Sequence, residues 1–223
     1  MRTIVSFLFV AATFILLGCN VNSRKNTTEE NRDEVTSLSR DEIKNLSFDE
    51  LFKEIEAKDL PSDVFTLIGQ NFGVLTAGTP EHYNSMVIGW GGWGIVFGKP
   101  AVFSFLRSNR YTLELMRKEQ KYTLTFFDDE FKEDILKFGM SSGRDSDEKM
   151  KSTMLTSVQT PESNMAFKEA KIIIECELIE VTTVSPDDFY TEDGRKFIEE
   201  AFIETNDYNK IVFGEITKVW VRK

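Results

Sequence analysis

Arg107, Ser108, Arg110 and Thr112 place two guanidiniums and two hydroxyls within six residues of an apolar and aromatic stretch. Helical propensity begins at Arg110 and runs to Glu119, so this cluster is expected at a strand-to-helix junction. Free backbone N–H groups and the helix dipole favour an anion there. Charge-assisted bonds from both arginines would make the junction a phosphate clamp; the alternative is a solvated arginine pair with Thr112 as an ordinary N-cap. A second candidate is Asn84-Ser85-Met86-Val87-Ile88-Gly89-Trp90-Gly91, read as a loop entering a strand, where glycines let the backbone approach a ligand closely. The same residues also suit a bulged, glycine-rich strand with Trp90 and Trp93 as core or subunit-interface aromatics. The third candidate, Ser142-Gly143-Arg144-Asp145, is a turn sequence following a predicted helix over Asp129 to Phe138.

Other chemistries lack their residues. Beyond Cys19 the chain has one cysteine, Cys176, and one histidine, His82, too few to assemble a zinc site, so no metal is expected. Cys176 sits in the alternating run Lys171 to Leu178 and reads as a small buried hydrophobe rather than a nucleophile. There is no paired-carboxylate site, no Gly-x-Ser-x-Gly elbow and no glycine-rich nucleotide loop. Any pyridine nucleotide would therefore be bound without a Rossmann domain. Thirty-seven acidic against 27 basic side chains give a net charge of −10, and no basic run offers a face to a phosphate backbone, so no nucleic-acid partner is expected.

The elements that must position these residues lie between Ser47 and Lys223. Residues 1–18 read as a signal peptide: a cation at Arg2, an apolar run from Ile4 to Leu17, then Gly18-Cys19. The run is too short to cross a bilayer as a helix. Leu16-Leu17-Gly18-Cys19 resembles the bacterial lipobox, which would make Cys19 a diacylated first residue, anchor the protein to a membrane and place it in the cell envelope facing the periplasm or exterior. Residues 19–46, polar and without aromatics, read as a flexible tether. Residues 47–223 read as one folded domain. A capping box at Ser47 and Glu50 predicts a short helix carrying Phe48, Leu51, Phe52 and Ile55. Short apolar runs, Val64 to Ile68, Gly73 to Ala77, Met86 to Trp90, Ile95 to Phe97 and Ala101 to Phe105, predict strands, as do Tyr122 to Phe127, Ile172 to Val184 and Ile211 to Val221. Phe126, Phe127, Phe131 and Phe138 are expected in the core, and Glu199-Glu200 on a solvated helix face. Many strands, few helices and no βα repeat predict a mainly β (α+β) fold.

In order and spacing, the Asn84 to Gly91 segment, Gly98-Lys99-Pro100-Ala101-Val102, the Leu106 to Thr112 run, the Ser142 to Asp145 turn and Gly214-Glu215-Ile216 resemble the flavin reductase family. The resemblance implies an FMN-binding split β-barrel with short peripheral helices, a homodimer with flavin at its interface, and FMN as cofactor. It further implies that Asn84, Ser85, Met86, Val87, Ile88, Gly89 and Trp90 follow the flavin ring. Arg107, Ser108, Arg110 and Thr112 would hold the phosphate, with Ser142, Gly143 and Arg144 near it. The cofactor would carry the redox chemistry and the protein would orient and tune it; relatives use NAD(P)H or pass electrons to a small-molecule redox partner. Two positions depart from the family pattern: Glu148 stands where a lysine is usual, with Lys149 one place later, and Asn209 stands where a histidine is common. An exported address also separates the protein from cytoplasmic NAD(P)H. A flavin-dependent oxidoreductase of open donor, a non-catalytic flavin- or phosphate-ligand-binding lipoprotein, and a structural lipoprotein that keeps only the barrel all remain as readings.

Overall fold

The computed structural model describes residues 38–144, 148–202 and 207–223. The expected signal peptide, Cys19, most of the expected tether, Asp145 and Asp147 lie outside the described residues. Leu38 to Lys223 forms one unit. Ten strands are described: β1 (Phe52–Ile55), β2 (Gly73–Thr79), β3 (His82–Ile88), β4 (Gly91–Val96), β5 (Lys99–Leu106), β6 (Lys121–Phe126), β7 (Ser157–Gln159), β8 (Met165–Phe167), β9 (Ile172–Thr183) and β10 (Lys210–Arg222). Helices are α1 (Arg40–Asn45), α2 (Phe48–Leu51), α3 (Val64–Gly69), α4 (Tyr111–Glu119), α5 (Lys132–Lys137), α6 (Glu148–Lys151) and α7 (Glu192–Phe202).

The main sheet is antiparallel in the order β3-β2-β6-β9-β10-β5-β4. Its two end strands, β3 and β4, are consecutive in the chain and separated only by Gly89 and Trp90. Two residues cannot span an open sheet seven strands wide, so the sheet must curl until its ends meet; the Phe105 N–H donates to the Trp90 carbonyl, 3.1 Å, extending the β4–β5 pairing up to the joint. This is the split β-barrel. β10 is long enough to pair with β5 through its first half and, from Val219 to Arg222, with β1 through its second.

Alternation along the strands makes two apolar clusters, one on each face of the sheet. On β9, Ile172, Ile174 and Cys176 join Leu75, Leu124, Val102 and Val212 in one. Ile173 turns the other way, towards Val74, Phe127, Phe138 and Phe167 in the second cluster, which α1, α2 and α5 cover. Successive strand residues face opposite sides, and here both sides are buried, which explains the continuous apolar runs. The expected core aromatics are in place: Phe126, Phe127, Phe131 and Phe138 are each no more than 3% exposed. Burial pushes the Cys176 thiol well up from its ordinary range, as an inert core cysteine requires.

Three segments differ from their sequence reading. Val64 to Ile68 is helix, not strand. Asp63 caps it by accepting the Thr66 N–H at 3.0 Å, and Leu67 and Ile68 are buried while Phe65 is exposed; the β-favouring residues yielded to the cap. The helix begun at Ser47 stops after Leu51, and Phe52 to Ile55 become strand because the free edge of β10 offers unpaired backbone groups. The folded unit also starts before Ser47. Ser39 and Glu42 form a capping box for α1, whose Ile43 is 4% exposed in the outer cluster. The tether assigned to residues 19–46 therefore does not extend through residues 38–46.

Candidate functional site

Three clefts follow β3 and the joint beyond it, each sharing residues with the next. The first, about 230 Å³, is lined by Asn84, Met86 and Val87 of β3, by Asn109 to Thr112 at the start of α4, by Phe138 to Gly143 after α5, and by Lys149 of α6. The second, about 200 Å³, shares Met86, Val87 and Arg110 with the first and adds Ile88 to Trp90, Arg107 and Asn209. The third, about 450 Å³, shares Gly89 and Trp90 with the second and is lined by Phe65, Trp93 and Phe103, with no charged side chain. Adjoining clefts thus lead from a polar, cationic end to an aromatic one. β3 pairs only with β2, so its outer edge leaves backbone groups available to a ligand.

At the cationic end, Lys149 is 5% exposed, and burial together with the charge of Arg110 lowers its pKa to about 8. Among the described residues neither cation has an acidic partner. Two neighbouring cations without an acid constitute a site for an anion. No side chain caps the first turn of α4, so the N–H groups of Tyr111 and Thr112 stand at the cleft wall with the helix dipole behind them.

Asn84 is the buried polar centre of this cleft. It is 3% exposed and its Nδ2 donates to Thr112 Oγ1 at 2.7 Å, while its Oδ1 has no partner. A buried acceptor without a donor costs on the order of 1–3 kcal/mol, so a ligand hydroxyl or N–H reaching it is favoured. Gly143 is pressed against the same atom: a Cβ built on it would lie 1.9 Å from Asn84 Oδ1. Only glycine fits there, which explains the Gly in the Ser142 to Asp145 turn.

The structure brings together Asn84, Met86, Val87, Arg110, Thr112, Ser142 and Gly143 in the first cleft, and Ile88, Gly89 and Trp90 further along. β3 extends to Ile88, so Asn84 lies within a strand rather than a loop. Three expected residues, Ser85, Ser108 and Arg144, are elsewhere, and Arg107 lines the second cleft rather than the first. Ser85 faces inward, its hydroxyl bonded to Thr76 Oγ1 at 2.7 Å. Arg107 is parted from Arg110 by the turn in which the Arg110 N–H donates to the Arg107 carbonyl, 3.2 Å. Its Nη2 donates to the Ala201 carbonyl at 3.3 Å, its guanidinium covers the Phe202 ring, and it faces the second cleft. Ser108 donates to Asp207. Arg144 turns away to Glu114, whose carboxyl it holds below its ordinary pKa, and to the Asn109 carbonyl at 3.2 Å. Arg107 and Arg110 line the second cleft together, while the first brings Arg110 beside Lys149, a residue the sequence reading passed over because it lies one place from the family's lysine.

A sequence comparison with curated proteins found no match. Among solved structures, the fold is similar to the FMN-binding domain of a flavin reductases-like enzyme from Shewanella baltica OS155, at 13% identity over 76% of each chain with a TM-score of 0.54. It is similar to an FMN-binding protein from Thermus thermophilus with bound p-hydroxybenzaldehyde, at 17% identity over 67% of this chain and 70% of that one, TM-score 0.51. It is likewise similar to the flavoredoxin of Desulfovibrio vulgaris (Miyazaki F), at 19% identity over 67% and 68%, TM-score 0.50. At these identities the likeness is one of fold. The model of the flavin reductase like domain matches residues 66–223, most of the described unit, and the chain belongs to that family.

Proposed function

We propose that this protein binds FMN in the groove along β3 and acts as a flavin reductase-like oxidoreductase whose physiological electron donor is not NAD(P)H. The observation that carries the reading is the cationic end of the groove: Arg110 and Lys149, without an acidic partner among the described residues, beside the orphaned Asn84 Oδ1. These residues fit the phosphate and ribityl parts of FMN, a dianion and a row of hydroxyls. Met86 to Trp90 would hold the ring by backbone and apolar contact, and the aromatic third cleft would exclude water beside it. Bound flavin supplies hydride and single-electron transfer. This chain's own groups bind, orient and shield it; none of those lining the groove is a nucleophile the chemistry requires.

The donor reading rests on Asn209. It is 6% exposed and lines the second cleft with Arg107 and Gly89, where an amide cannot exchange protons near neutral pH as an imidazole does. That residue also favours the second reading, a flavin-binding protein without turnover. Pairing of two copies and lipid anchoring at Cys19 in the cell envelope belong to the same proposal. Exposed Ile95 and Phe97 on the β4–β5 hairpin supply apolar surface for the former.

The test is retention of flavin. The full chain is equilibrated with FMN, desalted, and read by visible absorbance. The proposal expects a flavin per chain in the protein fraction, and flavin eluting wholly with small molecules refutes it.

A further inference from the structure

The family match begins at residue 66, whereas the folded unit begins at Leu38. The N-terminal helix α1, outside that match, is fastened to the site. Arg40 Nη1 donates to Asp134 Oδ2 at 3.0 Å and its Nη2 to the Glu130 carbonyl at 3.3 Å, with the guanidinium 4.9 Å from the Phe131 ring centroid. Asp134 is 5% exposed; its other oxygen accepts from Lys137 Nζ at 2.8 Å and from the Met154 N–H at 3.1 Å. A single carboxylate therefore ties α1, α5 and the chain just beyond α6. The last two carry walls of the cationic cleft, since α5 leads into Phe138 to Gly143 and α6 holds Lys149. An apolar tie runs in parallel. Ile43 of α1 lies in the outer cluster with Phe138, against which Val87 and Met150 pack. Phe138 and Val87 line the cleft, and Met150 adjoins Lys149.

We infer that α1 is a support of the anion site, and that Arg40 and Asp134 are positioning residues holding Lys149 and the Phe138 to Gly143 wall in place for a phosphate. The physical need is repulsion: Lys149 and Arg110 share a cleft that no acid among the described residues lines, so the walls that carry them are held from outside. Arg40 fixes one oxygen of Asp134, which leaves the other aimed at Met154. Without Arg40 the carboxylate has only the neighbouring Lys137 as cationic partner and can rotate with it, releasing the chain after α6. The ligand half of this inference rests on the phosphate reading; the structural half does not.

The experiment compares the full chain with its Arg40→Ala and Arg40→Lys variants in two measurements. Hydrogen exchange without ligand should show amides of residues 139–143 and 149–154 exchanging about tenfold faster in Arg40→Ala, with β9 and β10 unchanged. Titration with FMN and with riboflavin should show FMN weakened about fivefold, less than the loss of a whole charge-assisted bond because Lys149 is displaced rather than removed, and riboflavin less than about twofold. Arg40→Lys should recover part of the loss, and in a Lys149→Met background Arg40→Ala should add nothing. Unchanged exchange overturns the inference whatever the ligand does. Equal losses for both flavins also overturn it, because α1 would then be a general stabiliser. A wild-type chain without preference for FMN defeats the phosphate reading instead, while the exchange result still decides the tie.

Discussion

A phosphate dianion entering the cationic cleft should draw a proton onto Lys149. In the free protein its pKa is lowered to about 8, first by burial and then by Arg110. A dianion beside it offsets both effects by favouring the charged form, returning the ammonium towards the ordinary lysine value of about 10.4. At pH 8.5 the free side chain is about one quarter protonated and the bound one almost fully, so FMN binding should take up about 0.7 of a proton; at pH 7 the uptake falls to about 0.1. By the same linkage FMN should bind about tenfold more weakly at pH 9 than at pH 7. Titration calorimetry in two buffers of different ionisation heat reads the proton count directly. Riboflavin, lacking the phosphate, and the Lys149→Met variant should both show none of this uptake. Stability moves accordingly. Because the folded-state pKa lies below the unfolded one, the unfolded chain holds more protons between about pH 8 and 10.4, and the free protein should become more stable as pH rises through that window. Equal proton uptake for FMN and riboflavin, or uptake that survives Lys149→Met, would refute the placement of the phosphate.

Four further outcomes follow from the same residues. Gly143→Ala drives a methyl into Asn84 Oδ1, so the wall must move outward and FMN affinity should fall by about tenfold or more while urea unfolding changes little. Gly214→Ala meets the buried Tyr122 hydroxyl at 2.3 Å; it should destabilise the fold by about 1–3 kcal/mol in urea denaturation without altering the FMN-to-riboflavin ratio. Stopped-flow mixing of the FMN-loaded chain with NADH should show reduction slower than about 10 per second, accelerated by Asn209→His, and a fast wild-type rate would defeat the donor reading. Cys19→Ser should abolish lipid labelling and membrane fractionation in a Gram-negative host.

Much of the fold was legible because apolar runs buried on both faces read as strands whatever covers them; β2, β5, β6, β9 and β10 all fall where the runs lie. Short-range rules failed where a cap competed with composition. Asp63 before Val64 and Ser39 before Glu42 are both helix-start signals, but β-favouring residues hid the first and a charged, aromatic-free stretch hid the second. β7 and β8, three residues each, give too short a period to read. The site divides along the same line. In the proposed site, Asn84 and Met86 to Trp90 read as one segment because a single strand carries most of it along the clefts. Lys149 was not, because it arrives from a distant element: adjacent residues on a helix are about 100° apart, so α6 leaves Glu148 exposed and turns Lys149 inward. Arg107 and Arg110 share the second cleft, but the turn between them gives Arg107 the Ala201 carbonyl and the Phe202 ring, and of the two only Arg110 also lines the first cleft.

On the proposed function the clefts along β3 take a phosphorylated flavin, anchored by Arg110 and Lys149. The most direct measurement is the ratio of FMN to riboflavin affinity, in the wild-type chain and in the Arg110→Ala, Lys149→Met double variant. Two charge-assisted bonds predict a wild-type preference for FMN of about a hundredfold or more, collapsing to within about tenfold in the variant while riboflavin binding is kept. A wild-type chain that binds both flavins alike, or a preference that survives loss of both cations, contradicts it.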